Sequence, residues 1–303
     1  MTATGLVLHS EPRLRNPAMI AAFADWNDAG EAASAAVRWL VKRLPGKRFA
    51  SIEAEHYHIF TTSRPTVRIT GGERTLSWPL HDAFLHTDPE LSRDLVLLVG
   101  REPQTHWRTY CETVVELAQR AGVTTLVTLG AFLGETTHTR PVPLSGFATA
   151  APLRERLDQL GIARSNYEGP SGITATVPAF AREAGLDTAS LWAAIPQYLP
   201  TTANPKAALA LVRAVAAVLD LEFDLRRLEA AAAFFQRQVD KAVAHDRRAT
   251  GLLRAIERRT SPEPESVVEP TSDPNAALPS VEDIIRDLER FLRRSADADA
   301  END

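Results

Sequence analysis

The chain has almost no thiol to work with. A single cysteine, Cys111, excludes an intramolecular disulfide and any zinc cluster built from several thiolates. Long apolar runs are missing too. The most hydrophobic stretch, AALALVRAVAAVL over 207–219, is interrupted by Arg213, so no membrane span is expected. The opening residues MTATGLVLHSEPRLR hold no apolar segment long enough for a signal peptide, which predicts a soluble, cytoplasmic protein. There is no basic stripe interleaved with aromatics, which argues against a nucleic-acid partner. Charge is also unevenly placed. From Ser261 onward twelve acidic and four basic side chains give −8, against −5 for the whole chain, so residues 1–260 carry about +3.

What is present is a core-forming sequence. Hydrophobic residues make up 44% of 303 positions, enough for a large core plus an appendage. Ala18 to Phe23 is short and apolar, as expected of a strand covered on both faces, and it delivers the polar loop Asp25, Trp26, Asn27 and Asp28 to a helix start. In an open α/β sheet, loops at the carboxyl ends of strands form the crevice where ligands and partners meet the protein. Further strands are predicted over 49–52, 67–69, 95–99, 125–129 and 190–194. Helices are predicted over 30–44 and around Trp107 to Ala118. Asn204 and Pro205, a capping amide followed by proline at the first helical position, start another that carries Ala208, Leu211, Val212, Val215 and Leu219. The alternation predicts an α/β fold, a three-layer αβα sandwich over residues 1–220.

Beyond Leu219 the pattern changes. Leu225, Leu228, Ala232, Phe235, Val239 and Ala242 step by three and four, predicting a helical extension over 221–260 that would serve as a hairpin or a subunit seam. Residues 261–279 are acidic and rich in proline, which predicts a disordered linker. Over 280–294, Ser280 can cap a short amphipathic helix with Val281, Ile284, Leu288 and Phe291 on one side. A helix this short is marginal alone, so it needs a surface on its own body, a neighbouring subunit or another protein. Residues 295–303 form an acidic tail that is expected to be disordered.

Three polar segments are candidate site material. In the first, Asp28 and Glu31 stand as D-x-x-E, resembling a capping box, and their charges make that helix start a poor phosphate cradle. Asp25 and Asp28 could instead act as an acid/base pair or as Mg²⁺ ligands. In the second, His138 could shuttle a proton and Arg140 could grip a carboxylate, or the two could be a satisfied loop histidine and a structural ion pair. In the third, Tyr167-Glu168-Gly169-Pro170-Ser171-Gly172-Ile173, the spacing matches neither a nucleophile elbow nor a Walker loop, and a turn with a helix cap is the simpler reading. The candidate pocket is thus Asp25, Trp26, Asn27, Asp28, His138, Arg140, Glu168, Gly169 and Ser171, expected along one rim of the sheet. His56 and His58 would share a face if 55–60 were a strand, but no third metal ligand is near. His81, Asp82 and His86 fall in a loop-like stretch that matches no known ligand spacing. Cys111 sits on an apolar helix face as inert packing.

The strings MIAAFADWNDAG, LVLLVGREPQTHWRTYCE, LVTLGAFLGETTHTRPVP, YEGPSGI and SLWAAIPQYLPTTANPKA, in this order over about 18–219, resemble the proteasome assembly chaperone 2 family. That resemblance implies a phosphorylase/hydrolase-like α/β sandwich, similar in topology to purine nucleoside phosphorylases. It also implies a cytoplasmic homo-oligomer, a trimer for the longer form, with proteasome subunits or another protein as partner. Family members that dock on proteasome rings end in a hydrophobic residue, a tyrosine and one final residue, whereas this chain ends Glu301-Asn302-Asp303, so that docking mode is not expected. The family supplies no catalytic motif. The expected function is therefore an assembly-chaperone-like binding protein without chemistry, metal or cofactor. The alternative is a nucleoside-phosphorylase-like enzyme or small-molecule binder with its pocket at the strand ends.

Overall fold

The computed structural model describes residues 5–200 and 202–260. Its centre is a mixed sheet of nine strands. Among the described residues the chain runs β1 (Leu6–Leu8), β2 (Ala18–Ala24), α1 (Ala32–Arg43), β3 (Gly46–Ile52), β4 (Thr66–Thr70), β5 (Glu73–Ser77), β6 (His81–His86) and β7 (Leu95–Arg101). It continues through α2 (Trp107–Arg120), β8 (Thr125–Gly134), β9 (Leu144–Ala148), α3 (Ala151–Gln159), β10 (Ala163–Arg164), α4 (Ile173–Glu183) and β11 (Asp187–Pro196). Three helices close it: α5 (Pro205–Leu219), α6 (Arg226–His245) and α7 (Arg247–Thr260). The sheet order is β1-β3-β6-β7-β2-β8-β11-β9-β10, with β7, β2, β8 and β11 parallel at its middle.

The parallel strands read as unbroken apolar runs because both faces are covered, and their two-residue period divides the core. Ala18, Ile20 and Ala22 face α1 and α5 together with Leu95, Leu97, Val127, Leu129 and Leu191. Met19, Ala21 and Phe23 face the other way, joining Val96, Leu98 and Leu126 against Tyr110 and Val114 of α2 and Val177 of α4. The expected α/β sandwich is therefore present, with helices on both sides of the sheet. At α5 the capping prediction holds in detail, since Asn204 Oδ1 accepts from the Ala207 amide at 3.0 Å.

A third, smaller core lies over one end of the sheet. Phe235, Val239, Ala242 and Val243 of α6 and Ala249 and Ile256 of α7 close on Tyr198 and Leu199, just beyond β11. The long helix expected after Leu219 stops at His245. Asp246 adopts extended backbone there, and its Oδ1 accepts from the Arg248 and Ala249 amides to begin α7.

Two local expectations are corrected, and one expected strand is present but apart from the main sheet. His81, Asp82 and His86 belong to strand β6, paired between β3 and β7, where two buried histidines hide the apolar alternation. The strand at Val67–Ile69 lies outside the main sheet, in an exposed hairpin with β5 turned by Gly71 and Gly72, both at positive φ. His56 ends a 3-10 turn rather than sharing a strand face with His58. The linker expected over 261–279, the helix with Val281, Ile284, Leu288 and Phe291, and the tail over 295–303 lie outside the described residues.

Candidate functional site

Carboxyl ends of the four parallel strands bring the polar segments to one end of the sheet. Beyond β2, Asp25 takes a left-handed backbone (φ 92), which turns its carboxylate onto Arg101 at the end of β7. The guanidinium grips it with two prongs, Nε at 3.1 Å and Nη2 at 2.5 Å. Trp26, next in sequence, stands 60% exposed. Asn27 turns inward, its carbonyl accepting from the Ala131 amide of β8 at 2.8 Å and its side chain 93% buried against Gly172. Among the described residues Asn27 Oδ1 has no hydrogen-bond partner.

Asp28 is buried beneath this loop and does cap a helix, by a longer reach than the D-x-x-E pattern implies. Its Oδ1 accepts from the amides of Ala33 at 2.7 Å and Ser34 at 3.1 Å, and its Oδ2 accepts from the Ser34 hydroxyl. Glu31 is no capping-box partner: it occupies a left-handed position and its carboxylate reaches out to Arg38. Burial raises the Asp28 carboxyl above its ordinary range, against the hydrogen bonds from Ser34 and Ala33. Asp25 and Asp28 therefore bond to different partners, Arg101 and the start of α1. Among the described residues no group of three or more His, Cys, Asp or Glu has metal-site geometry.

The third segment meets the first. Gly172 opens α4, and the Ile173 amide donates to Glu102 Oε1 at 2.9 Å, so a carboxylate again fills a helix start. Tyr167, Glu168, Gly169 and Ser171 are exposed in the loop before it. The Tyr167 hydroxyl donates to the Pro170 carbonyl at 3.1 Å, and the Ser171 hydroxyl donates to the Gly172 carbonyl at 3.2 Å, so Ser171 is held by backbone rather than by a base.

The second segment faces elsewhere, toward α5, α6 and α7. His138 is 4% exposed; its amide donates to the Tyr198 hydroxyl at 2.8 Å and its Nδ1 lies 2.6 Å from the same oxygen. Its Nε2 is 3.2 Å from Asp240 of α6. Burial lowers the His138 pKa, with Asp240 pulling the other way. Lys206 of α5 donates to the carbonyls of His138 and of Arg140, the latter at 2.8 Å, and to Gln236 of α6 at 2.8 Å. Arg140 donates to the Glu257 carbonyl of α7 at 3.3 Å. These residues fasten the terminal helices over the strand ends. The two groups are joined through backbone, where Gly30 bonds Pro200 at 3.0 Å and receives the Asn204 amide at 2.8 Å.

Several participants lacked a readable signal. Arg101 and Glu102 stand directly after the apolar run LVLLVG, at the same place that Asp25 holds after its own strand, and could have been found that way. Tyr198, Asp240 and Lys206 are recognisable only through contacts distant in sequence. A further polar line runs from His58 Nε2 to His81 Nε2 at 2.7 Å and from His81 Nδ1 to the Tyr110 hydroxyl at 2.8 Å, with the His81 ring against Gly100. Burial, then His58 and Arg101, hold the His81 pKa down to about 3.

The result is an α/β sandwich whose carboxyl-end loops are bonded to one another beside a packed helical pair. The PAC2 family profile matches residues 22–243, and the chain belongs to the PAC2 family. The match continues past Leu219 through most of α6. A PAC2 family protein from Streptomyces avermitilis is 39% identical, superposing with TM-score 0.71 over 78% of this chain and 99% of its own. A proteasome-assembly chaperone homologue from Mycobacterium tuberculosis is 37% identical, with TM-score 0.70 over 78% and 99%. The archaeal proteasome activator PbaB from Pyrococcus furiosus, 18% identical with TM-score 0.62 over 78% and 97%, shares the fold. No curated protein matches the chain. Among the described residues no helix is long and apolar enough to cross a membrane.

Proposed function

We propose that this protein is an assembly-chaperone-like binding protein without chemistry of its own, acting in the cytoplasm as a homotrimer, with proteasome subunits as its partner class. The observation that carries this reading is membership of the PAC2 family, with a 37% identical relative described as a proteasome-assembly chaperone homologue. The state of the polar residues supports it. Asp25, Asp28, His138 and Arg140 each bond to other protein groups, whereas the aromatic Trp26, Phe132 and Tyr167 near the strand ends are exposed. Aromatic side chains of this kind are the usual anchors of protein interfaces.

The test has two stages. Light scattering behind size exclusion is expected to give about three times the 33.2 kDa chain mass, and a monomer mass overturns the oligomer. Mixing with purified proteasome α subunits is expected to give a joint peak that Trp26→Ala with Tyr167→Ala weakens at least tenfold. No joint peak at tens of micromolar overturns the partner class. A thermal shift with nucleosides and phosphate, about 2.7 kcal/mol of stabilisation at a hundredfold excess over Kd, would move the reading to an enzyme.

A further inference from the structure

Between α5 and α6 the surface opens into a groove of about 1030 Å³. Its α5 and α6 sides are small-chained: Ala210, Ala214 and Ala217 of α5 and Ala232 and Ala233 of α6 line it, beside the larger, exposed Leu160. A lining of alanines leaves room for the large side chains of an incoming helix to reach close to the backbone. From Lys206 to Ala217 the α5 stripe is about 17 Å long at 1.5 Å per residue. The described chain supplies nothing to fill it.

We propose that residues 280–294 of the same chain dock in this groove as an amphipathic helix. Val281, Ile284, Ile285, Leu288, Phe291 and Leu292 recur at helical spacing and form a stripe that, as a helix, is again about 17 Å long. Where the described chain stops favours this occupant. Thr139 lines the groove, and its hydroxyl donates to Glu257 at 2.9 Å, three residues before Thr260. The last turn of α7 thus contacts a residue that lines the groove. Twenty residues separate Thr260 from Val281, a proline-rich tether with a reach of up to about 60 Å at the 3.1 Å per residue of an extended chain.

Such a tether makes docking an intramolecular event, which raises the helix's effective concentration at the groove above that of a separate molecule. This lets a segment that is marginal in isolation bind its own body before it meets another molecule. Charge presents no obstacle: Glu282, Asp283, Asp287 and Glu289 balance Arg286, Arg290, Arg293 and Arg294, and the groove walls mix the Arg213–Glu229 pair with Lys206 and Asp240. The inference stands apart from the chaperone reading, since occupancy of the groove is read within one chain whether or not a partner exists.

The chain's chemistry makes the test clean, because its one native thiol, Cys111, is buried and pushed up to about 12 by burial. In the full chain, Ala233→Cys with Leu288→Cys should oxidise under mild conditions to a faster-migrating monomer that reverts on reduction. Leu288→Cys with Thr75→Cys on the distant hairpin should stay reduced. A disulfide-linked dimer would assign the groove to a second copy's segment, and two thiols that stay reactive would mean an open groove; either overturns the proposal. Hydrogen exchange decides independently of cysteine placement: Ile284→Asp with Leu288→Asp in the full chain should speed exchange at least tenfold, confined to α5 and α6. Exchange unchanged by these substitutions also overturns it.

Discussion

Gly172 shows how narrowly one position can be set. Its backbone is extended (φ −95, ψ 175), so no conformational demand calls for glycine, yet a Cβ there would lie 1.7 Å from Asn27 Oδ1. The requirement is steric and comes from a residue far away in sequence. Gly172→Ala is expected to cost about 1–3 kcal/mol by overpacking and to lower Tm by a few degrees. Adding Asn27→Ala should return part of that loss, giving a coupling of at least about 1 kcal/mol in a double-mutant cycle followed by urea denaturation. Additive losses would mean the two side chains do not collide. From the sequence, YEGPSGI reads as a turn leading into a helix, which it is. Why its last glycine is glycine was not legible, because the Asn27 amide arrives from another strand end.

Among the elements, α6 and α7 are held by the small core around Tyr198 and by a few polar bonds beside it. Tyr198→Phe removes the oxygen shared by the His138 amide and ring, leaving both without that partner at a buried place. The expected cost is about 1–3 kcal/mol. Because His138 and Arg140 sit under these helices, loosening should show first as faster tryptic cleavage at Arg247, Arg254 and Arg258 of α7, before any change at α1. Cleavage rates equal to wild type would show that the hydroxyl does not fasten the helices. The stepping of Leu228, Ala232, Phe235, Val239 and Ala242 made α6 legible. α7 falls within the helical extension expected over 221–260, but its separate start was not legible, since Arg247–Thr260 is rich in arginines and its apolar positions face a core that exists only once α6 has folded back.

For the whole molecule, buried neutral histidines set the response to acid. In the folded state the His81 pKa is held to about 3 by burial, and unfolding returns it to the ordinary 6.5. Below pH 6.5 the unfolded chain therefore takes up the proton first, so stability present at neutral pH is lost as pH falls toward 3, by about 1.4 kcal/mol per unit for one proton. His58 and His138 shift in the same direction, while the raised carboxyls of Asp28, Asp82 and Glu102 act in the opposite sense. His81→Gln is expected to flatten the fall between pH 6.5 and 4.5 by about 2–3 kcal/mol in denaturant titrations. An unchanged slope would mean that this histidine is protonated in the native state. The parallel strands that hold the core were legible as apolar runs. The antiparallel β6 and β9 were not, because histidines, serine and glycine interrupt the pattern on which strand reading rests.

The outermost strands of the main sheet, β1 and β10, are three and two residues long. Margins so stubby offer a neighbour almost no backbone to zip onto, a common safeguard against runaway stacking. Two copies of this protein therefore have little means of extending the nine-stranded sheet across one another, and any contact between them at these margins would fall to side chains.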